Sequence, residues 1–527
     1  MTGLYHGTWW GRHKDEWDPI EDDRFGTVAG GRFIRLLPEG PEFYPPDLRR
    51  LAERMTSDPE LPPTQEGKPD PEEDPDITAA YTYLGQFTDH DLTFDPTSRL
   101  REALTGQELD ALADFRTPRF DLDNLYGRGP DDQPYLYDTD RIHMQLGERM
   151  SGNPFDPNAR DLPRGPNGRA LIGDPRNDEN RIVAQLHAIF LRFHNQVADY
   201  LAKPDQLGKD VSFDAVRQQV RRHYQWMLVT DYLPKIVNSD TYQSIFADPY
   251  NPTPRLPGPQ NGLRLMPVEF SVAAFRFGHA MIRPLYRLNT TVERRPIFLP
   301  KEDDTAHVDD AADLRGFRPI PSDWAIDWQF FIDLEHTAEP RAIAPLYDPK
   351  ARVPQKAYKI DTSLASPLHD LPPQIASDPS ILALRNLERG RTFSLPTGQQ
   401  VAKALGEEPI TDEKLVIGKA TADDPKTPLA QIAESFAGQA PLWAYILSEA
   451  QVTSWENADS SLSPDDIPIK LGPVGGRIVA GVFAALLHGD RTSYLNHHTA
   501  FTPIPDFTRD GKFGLAELIN VALGRKP

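Results

Sequence analysis

The sequence predicts a mainly α-helical protein built around one large catalytic domain. Apolar residues recur at helical spacing around every polar motif, whereas the alternation typical of strands is scarce. The chain has 527 residues, with no internal repeat and no long low-complexity linker through its middle. We therefore expect a domain at 76–510, preceded by an irregular arm and an acidic, proline-rich loop at 1–75 and followed by a tail at 511–527.

Composition narrows the classes of partner and metal. The formal net charge of −21 would repel nucleic acid and anionic membranes, so small molecules and cations are the expected partners. The chain has no cysteine, which excludes disulfides, zinc thiolate sites, iron–sulfur clusters and thiolate ligation of haem. Any metal must therefore be held by histidine, carboxylate or carbonyl groups.

The first residues and the apolar stretches of the chain bear on the cellular location of the protein. The first residues lack the basic and apolar regions of a secretory signal, and no apolar run is long enough for a membrane span. The longest candidate, at 474–487, contains Arg477. We expect a cytoplasmic protein or one that is secreted without a leader.

The first polar motif lies in a helix that we expect between Asp76, as its cap, and Pro96, as its end. At 100° per residue, Gln86 and His90 share one face of this helix, whereas Asp91 points off another side. The helix could thus present an imidazole to a pocket and a carboxylate to a separate cation.

An acidic loop follows, in which oxygen-bearing residues recur at alternate positions. These residues are Thr117, Arg119 through its carbonyl, Asp121 and Asp123. Calcium takes six to eight such oxygens, although the spacing is not that of an EF-hand. The loop is either a calcium site or a solvated acidic turn.

A polar segment at 173–181 opens a long helix with core-facing apolar residues as far as Leu201. Arg176 and Glu179 lie near its start. They form either a surface ion pair or a cation and a carboxylate at the mouth of a pocket. Two histidines on this helix lack a carboxylate partner at metal-binding spacing and are expected to be structural: His187 and His194.

Another helix is predicted from Pro267 to Pro284. It places Arg276 and His279 on one face, and Gly278 removes side-chain bulk where a flat group could approach the imidazole. Farther on, residues 384–391 offer an amide, Asn386, and a cation, Arg389. Apolar helices at 441–449 and 474–488 are expected to pack in the core.

Taken together and in this order, four of these motifs resemble the animal-type haem peroxidase family, also called the peroxidase–cyclooxygenase superfamily. The resemblance covers roughly residues 77 to 400, and more weakly extends to about 500. It implies a helical domain that holds haem b between a distal and a proximal helix. It also implies that the chain reduces hydrogen peroxide.

On the distal side, the resemblance makes His90 the acid/base group, Gln86 its neighbour in the pocket and Arg176 the distal arginine. Peroxide cleavage needs a base that moves a proton between the two oxygens and a cation that stabilises the polarised bond. Glu179 and Asp89 match the two carboxylates through which family members bond haem by ester links. Where some mammalian members follow the glutamate with a methionine, this chain has Asn180.

On the proximal side, the resemblance makes His279 the axial iron ligand and Asn386 the amide that orients it. Arg276 and Arg389 match partners of the haem propionates. A calcium ion would be held by five residues: Asp91, Thr117, Arg119, Asp121 and Asp123.

The reductant is expected to be a small organic donor, thiocyanate or a halide, with bromide or iodide favoured over chloride because the methionine is absent.

One alternative is a fatty-acid dioxygenase of the same superfamily, but those enzymes carry a tyrosine three residues before the proximal histidine, where this chain has Arg276. The other alternative is a binding or adhesion protein without turnover, which the full set of pocket residues disfavours. The sequence does not indicate an oligomeric state.

Overall fold

The structure is a computed structural model. It describes residues 20–22, 26–28, 31–57, 70–95, 100, 104, 108–109, 112–257, 266–299, 312–335, 353–373, 375–376, 378–497 and 499–527.

Helices dominate the described residues, which confirms the predicted fold class. The α-helices are α1 (Pro45–Arg54), α2 (Ala79–Leu92), α3 (Asp123–Tyr126), α4 (Arg181–Leu201), α5 (Phe213–Met227), α6 (Leu233–Ile236), α7 (Ser239–Phe246), α8 (Leu382–Thr392), α9 (Gly398–Ala404), α10 (Leu429–Ile432), α11 (Leu442–Asn457), α12 (Pro473–Gly489) and α13 (Leu515–Ala522). Within the described part of the chain, no helix is both long and apolar enough to cross a lipid bilayer.

The strands are short and tie loops to the helical core. They are β1 (Ile20–Asp22), β2 (Gly26–Val28), β3 (Gly31–Ile34), β4 (Glu73–Thr78), β5 (Ala113–Asp114), β6 (Met266–Pro267), β7 (Leu285–Tyr286), β8 (Arg295–Pro296), β9 (Lys356–Tyr358), β10 (Val416–Ile417) and β11 (Thr427–Pro428). Strand β3 pairs with β5 antiparallel and with β6 in parallel. Strand β4, just before α2, pairs antiparallel with β9.

Helix α4 is the centre of the fold and begins with a side-chain cap. Asn180 Oδ1 accepts a hydrogen bond from the Ile182 N–H at 2.8 Å, which satisfies one of the donors left open at a helix start. Helices α2, α5 and α13 pack against α4, as does the turn Pro175–Asp178 that carries Arg176. Helix α4 therefore fixes the two distal elements relative to each other.

Helix α2 begins at Ala79, so the expected cap at Asp76 is wrong. Two lysines pair with the Asp76 carboxylate instead: Lys235 and Lys470. The Ala79 N–H donates to the Gln355 carbonyl at 2.9 Å, so a backbone carbonyl from another segment satisfies an N–H at the helix start in place of a side-chain cap. The helix ends at Leu92. Pro96, the expected end, lies outside the described residues.

The proximal segment is helical but is not the single α-helix that the sequence predicts. A π-helical turn, Glu269–Ala273, runs directly into a 3₁₀-helix, Ala274–His279. In a 3₁₀-helix residues three apart are aligned along the axis, which keeps Arg276 and His279 on one face.

The chain ends contain more structure than the arm and tail expected from the sequence. Residues 1–19 and 58–69 of the expected arm and loop lie outside the described residues, but α1 packs against α8. At the other end, α13 has all of its residues buried and packs on α4.

Candidate active site

The distal side of the site is built from α2 and the turn before α4. The Gln86 side-chain amide donates to Glu179 Oε1 at 2.6 Å, and His90 Nε2 lies 3.5 Å from the same oxygen. Glu179 lies deep in the fold, yet 33% of its side chain is accessible, which indicates an internal gap beside it. Burial opposes its charge, but His90, Arg176 and Gln86 outweigh that effect and hold the pKa of Glu179 below its usual range.

Arg176 is held beside His90 by a buried ion-pair network. Its Nη2 donates to Asp174 Oδ2 at 2.8 Å and to the His90 carbonyl at 3.1 Å, and its guanidinium lies 4.6 Å from the Phe94 ring centre. Arg116 donates from Nε to the same Asp174 oxygen at 3.0 Å. Burial opposes the charge of Asp174, but Arg176 and Arg116 outweigh it and hold its pKa well below the usual range.

A third side chain, Asn177, contacts His90 at Nδ1, the ring nitrogen on the far side from Glu179. This residue was not predicted from the sequence. His90 Nδ1 lies 2.8 Å from Asn177 Oδ1, and Asn177 Nδ2 lies 3.0 Å from His187 Nδ1. His194, by contrast, is bonded within the core by the Tyr126 hydroxyl and a backbone carbonyl, as expected of a structural histidine.

The proximal side places His279 against Asn386. The Asn386 amide nitrogen lies 2.8 Å from His279 Nδ1, and Arg276 Nη1 lies 3.4 Å from the amide oxygen. Burial, followed by the charge of Arg276, lowers the pKa of His279 to about 3, so the imidazole is neutral. Arg389, on the same helix as Asn386, pairs with Asp95 at 2.6 Å.

Side chains on the distal and proximal elements interact electrostatically and keep accessible surface although the fold encloses them, which indicates an internal gap between the two elements. The residues that keep accessible surface in these otherwise buried elements are Gly85, Gln86 and Asp89 on α2 and Arg276, Gly278 and His279 on the 3₁₀-helix. The Asp89 charge favours the charged form of Arg276, and the Glu179 charge favours a protonated His279. A Cβ atom built on Gly278 would have no neighbour within 4 Å, as predicted for a residue that clears space beside the imidazole.

Gly85 is fixed by a close approach behind the gap. A Cβ atom at this position would lie 2.5 Å from the Tyr232 hydroxyl, and the Tyr232 ring is fully buried. A larger residue would push α2, and with it Gln86, out of place.

Comparison with known proteins bears directly on this arrangement. A sequence model of the family described as animal haem peroxidase matches residues 110–305, which include Arg176, Glu179 and His279. The chain is 36% identical to rat (Rattus norvegicus) thyroid peroxidase over 124 residues, which cover 23% of this chain and 13% of that protein. It is 30% identical to human (Homo sapiens) thyroid peroxidase over 225 residues, covering 37% of this chain and 22% of the relative.

Residues 110–305 match the animal haem peroxidase family. The family resemblance found in the motifs is thereby confirmed. The match spans about a fifth or less of each thyroid peroxidase, so the relatives are much longer than the shared part.

Solved structures show the same fold. Peroxidase A from Dictyostelium discoideum superposes with a TM-score of 0.50 at 16% identity, covering 96% of this chain and 92% of that one. A fatty acid α-dioxygenase from Arabidopsis thaliana gives a TM-score of 0.50 at 14% identity, covering 91% and 73%. At these identities the likeness concerns the fold alone and does not separate a peroxidase from a dioxygenase.

The gap suits the flat cofactor of this family. It has a neutral imidazole on one wall, open space at Gly278 beside it, and polar side chains on the opposite wall. Two carboxylates, Asp89 and Glu179, border it on the distal side, and Arg276 borders it on the proximal side. The residues present therefore fit a haem b.

The acidic loop comes together with α2 to form a buried carboxylate cluster. The carboxylates of Asp91, Asp121 and Asp123 offer oxygens that all lie within 4.8 Å of one another. Burial and the two neighbouring carboxylates raise the pKa of Asp91 well above its usual range. The Thr117 hydroxyl donates to Asp121 at 2.7 Å, and the Arg119 N–H donates to the Thr117 carbonyl at 2.7 Å. The loop is therefore not a solvated turn.

Proposed function

We propose that this protein is a haem peroxidase that binds one haem b between α2 and the proximal 3₁₀-helix and reduces hydrogen peroxide. The observation that carries this proposal is the pairing of two walls, with His90, Gln86 and Arg176 on one side of the gap and His279 on the other. The test is the absorption spectrum of the purified chain supplied with haem b, with and without His279.

On the distal wall, His90 is the group that moves a proton. Its Nε2 faces the gap, so it can take the proton from one peroxide oxygen and return it to the other. Arg176, fixed by Asp174, supplies a positive charge beside it that stabilises the polarised O–O bond. Gln86 holds Glu179 and so keeps that carboxylate beside Nε2.

On the proximal wall, His279 would hold the iron through Nε2 because Nδ1 is turned to Asn386. The structure turns the amide nitrogen to Nδ1 and the amide oxygen to Arg276, so this role requires the Asn386 amide to rotate by 180°. Its oxygen would then accept the Nδ1 proton, fix the tautomer and raise the basicity of the ligand. When bound, the haem supplies the two electrons that peroxide reduction consumes, which the reductant then restores. Arg276 and Arg389 would neutralise the propionates.

The residue three before His279 favours peroxidase over dioxygenase chemistry. Arg276 occupies this place, and its guanidinium contacts Asn386 and the Ser271 carbonyl. A guanidinium offers no phenol, so this position cannot carry the tyrosyl radical with which those dioxygenases oxygenate a fatty acid.

The reductant is proposed to be a small organic donor, thiocyanate or a halide, with bromide or iodide favoured over chloride. Asn180 stands where some mammalian relatives place a haem-bonding methionine. Its side chain caps α4 through the Ile182 N–H, so it serves the helix rather than the cofactor.

The carboxylate cluster is proposed to bind calcium. Three buried carboxylates repel one another, and a divalent cation would remove that cost while pinning the end of α2 next to His90. Through Arg116, which lies 3.5 Å from Asp123 and donates to Asp174, the cluster is also linked to Arg176.

We expect metal analysis of the desalted, active protein to find one calcium per chain. Removal by chelation should lower the unfolding temperature, since a ligand at 100 times its Kd stabilises by about 2.7 kcal/mol. Asp121→Asn should lose both the metal and this chelator effect, whereas Asp459→Asn on the exposed 459–466 loop should lose neither. Active wild-type protein free of calcium would show that the cluster binds no metal.

At least one haem ester is proposed to form, through Asp89 or Glu179. A carboxylate oxygen would bond to a haem methyl carbon as one C–H bond of that methyl group breaks. Hydrogen peroxide would accept the two electrons, the released proton and one further proton from solvent, and become two water molecules. Both side chains border the gap, and the contacts of Glu179 are to Gln86 and His90 on its walls. The ester would remove a buried negative charge and tie the cofactor to a distal element.

After cycling with low peroxide, acid butanone should therefore fail to extract most of the haem. Mass spectrometry should find haem attached to a peptide that contains Asp89 or Glu179. The double variant Asp89→Asn, Glu179→Gln should release its haem quantitatively and unmodified. Equal release from the wild-type protein would mean that coordination and packing alone hold the cofactor.

A further inference from the structure

Three buried side chains form a line that ends at His90. His187 Nδ1 lies 3.0 Å from Asn177 Nδ2, and Asn177 Oδ1 lies 2.8 Å from His90 Nδ1. Asn177 and His187 are fully buried, and His90 is 5% exposed. A single amide thus contacts two imidazoles through its two different ends.

The two ends of the amide have opposite hydrogen-bonding roles. The Asn177 oxygen can only accept, so His90 Nδ1 must carry a proton to bond it, and the amide nitrogen donates to His187 Nδ1. Burial lowers the pKa of His187 to about 3. A neutral His187 accepts at Nδ1 when its proton is on Nε2, a buried atom that has no hydrogen-bond partner among the described residues.

The two ring nitrogens of a neutral His90 share one proton, and the contact distances indicate which nitrogen carries it. At Nδ1 the acceptor lies at 2.8 Å, whereas at Nε2 the nearest carboxylate oxygen lies at 3.5 Å and already accepts from Gln86 at 2.6 Å. A hydrogen bond is strong near 2.9 Å and weak at 3.5 Å. In neutral His90 the shorter contact places the single proton on Nδ1 and leaves a lone pair on Nε2, whereas a protonated His90 also donates from Nε2 to Glu179.

We propose that Asn177, itself oriented by His187, is a positioning residue that holds His90 as the Nδ1–H tautomer. This inference rests on the proposed function, in which His90 Nε2 takes a proton from peroxide. Only this tautomer is ready to act as a base at Nε2. The role is that of a group that orients a catalytic histidine from behind, as a carboxylate does in hydrolase triads.

Nitrogen NMR of the full chain tests the tautomer directly. Protein labelled with nitrogen-15 histidine, studied as its diamagnetic ferrous carbonyl complex, should show His90 with a protonated Nδ1 and a bare Nε2. The signals are assigned by their loss in His90→Gln. Asn177→Ala should mix the two tautomers, and Asn177→Asp, which keeps an acceptor oxygen, should restore the wild-type pattern.

Kinetics on the same variants separate positioning from folding. Asn177→Ala should slow both the reaction with peroxide and the binding of hydrogen cyanide by about 10-fold to 100-fold, by analogy with the cost of removing a group that orients a metal-ligating histidine. Haem content and the Soret band should stay unchanged. His187→Phe, which keeps a ring but no Nδ1, should give a smaller loss. Asn153→Ala removes a buried amide bonded to Ile326 and should change neither reaction.

A wild-type His90 protonated at Nε2 would overturn the proposal, as would wild-type tautomer and rates in both Asn177→Ala and His187→Phe. If Asn177→Ala does not fold, the tautomer and the rates of His187→Phe alone decide the outcome. Absence of haem binding by the wild-type chain would instead defeat the proposed function. The histidine spectra of that haem-free chain would still report the tautomer, so the two failures are distinguishable.

Discussion

Replacing His279 with alanine is expected to abolish the native Soret spectrum or the haem occupancy of the protein. The imidazole is neutral, faces the gap and is oriented by Asn386, so no other proximal group among the described residues of the segment can replace it. The measurement is the haem-to-protein ratio and the absorption spectrum after gel filtration. Added imidazole should restore a histidine-like spectrum, because the substitution leaves a cavity of the right shape beside Gly278.

His369→Ala is the matched control, since His369 bonds Thr56 and has no contact with the gap. It should retain full occupancy. Unchanged haem binding and iron coordination in His279→Ala would refute the assignment of the axial ligand.

Replacing His90 with alanine should leave haem binding intact but slow the reaction with hydrogen peroxide by about 100-fold to 10,000-fold, as expected when an acid/base group is removed. His90 sits on the wall opposite His279, and its loss opens space without removing the ligand. Stopped-flow absorbance with excess peroxide measures the rate.

His143→Ala serves as the control for this loss, because His143 pairs with Asp140 and Asp199 on the surface. It should react at the wild-type rate. A His90→Ala protein that reacts with peroxide as fast as wild type would show that another group moves the proton.

Local periodicity was enough to predict which side chains share a face. Gln86 and His90 lie one helical turn apart on α2, and Arg276 and His279 lie three residues apart on a tight helix, so both pairs could be predicted from spacing. The acidic loop is not the extended stretch that alternate spacing implies, because it bends, Leu122 is left-handed and Asp123 begins α3. It nevertheless brings Asp121 and Asp123 to Asp91.

Contacts between distant segments were not predictable in this way. Asn177 meets His90 across 87 positions, and Arg116 meets Asp174 across 58. The only indication in the sequence of the role of Asn177 was that this residue directly follows Arg176. The predicted cap at Asp76 was wrong because of contacts of this kind, since two lysines from distant parts of the chain pair with its carboxylate.

The central claim is that one haem lies between His90 and His279, and titration of the purified chain with haem b tests it most directly. We expect saturation at one haem per chain, with a Soret spectrum that His279→Ala removes and His90→Ala preserves. A chain that binds no haem, or a spectrum that depends on His90 and is indifferent to His279, would contradict it.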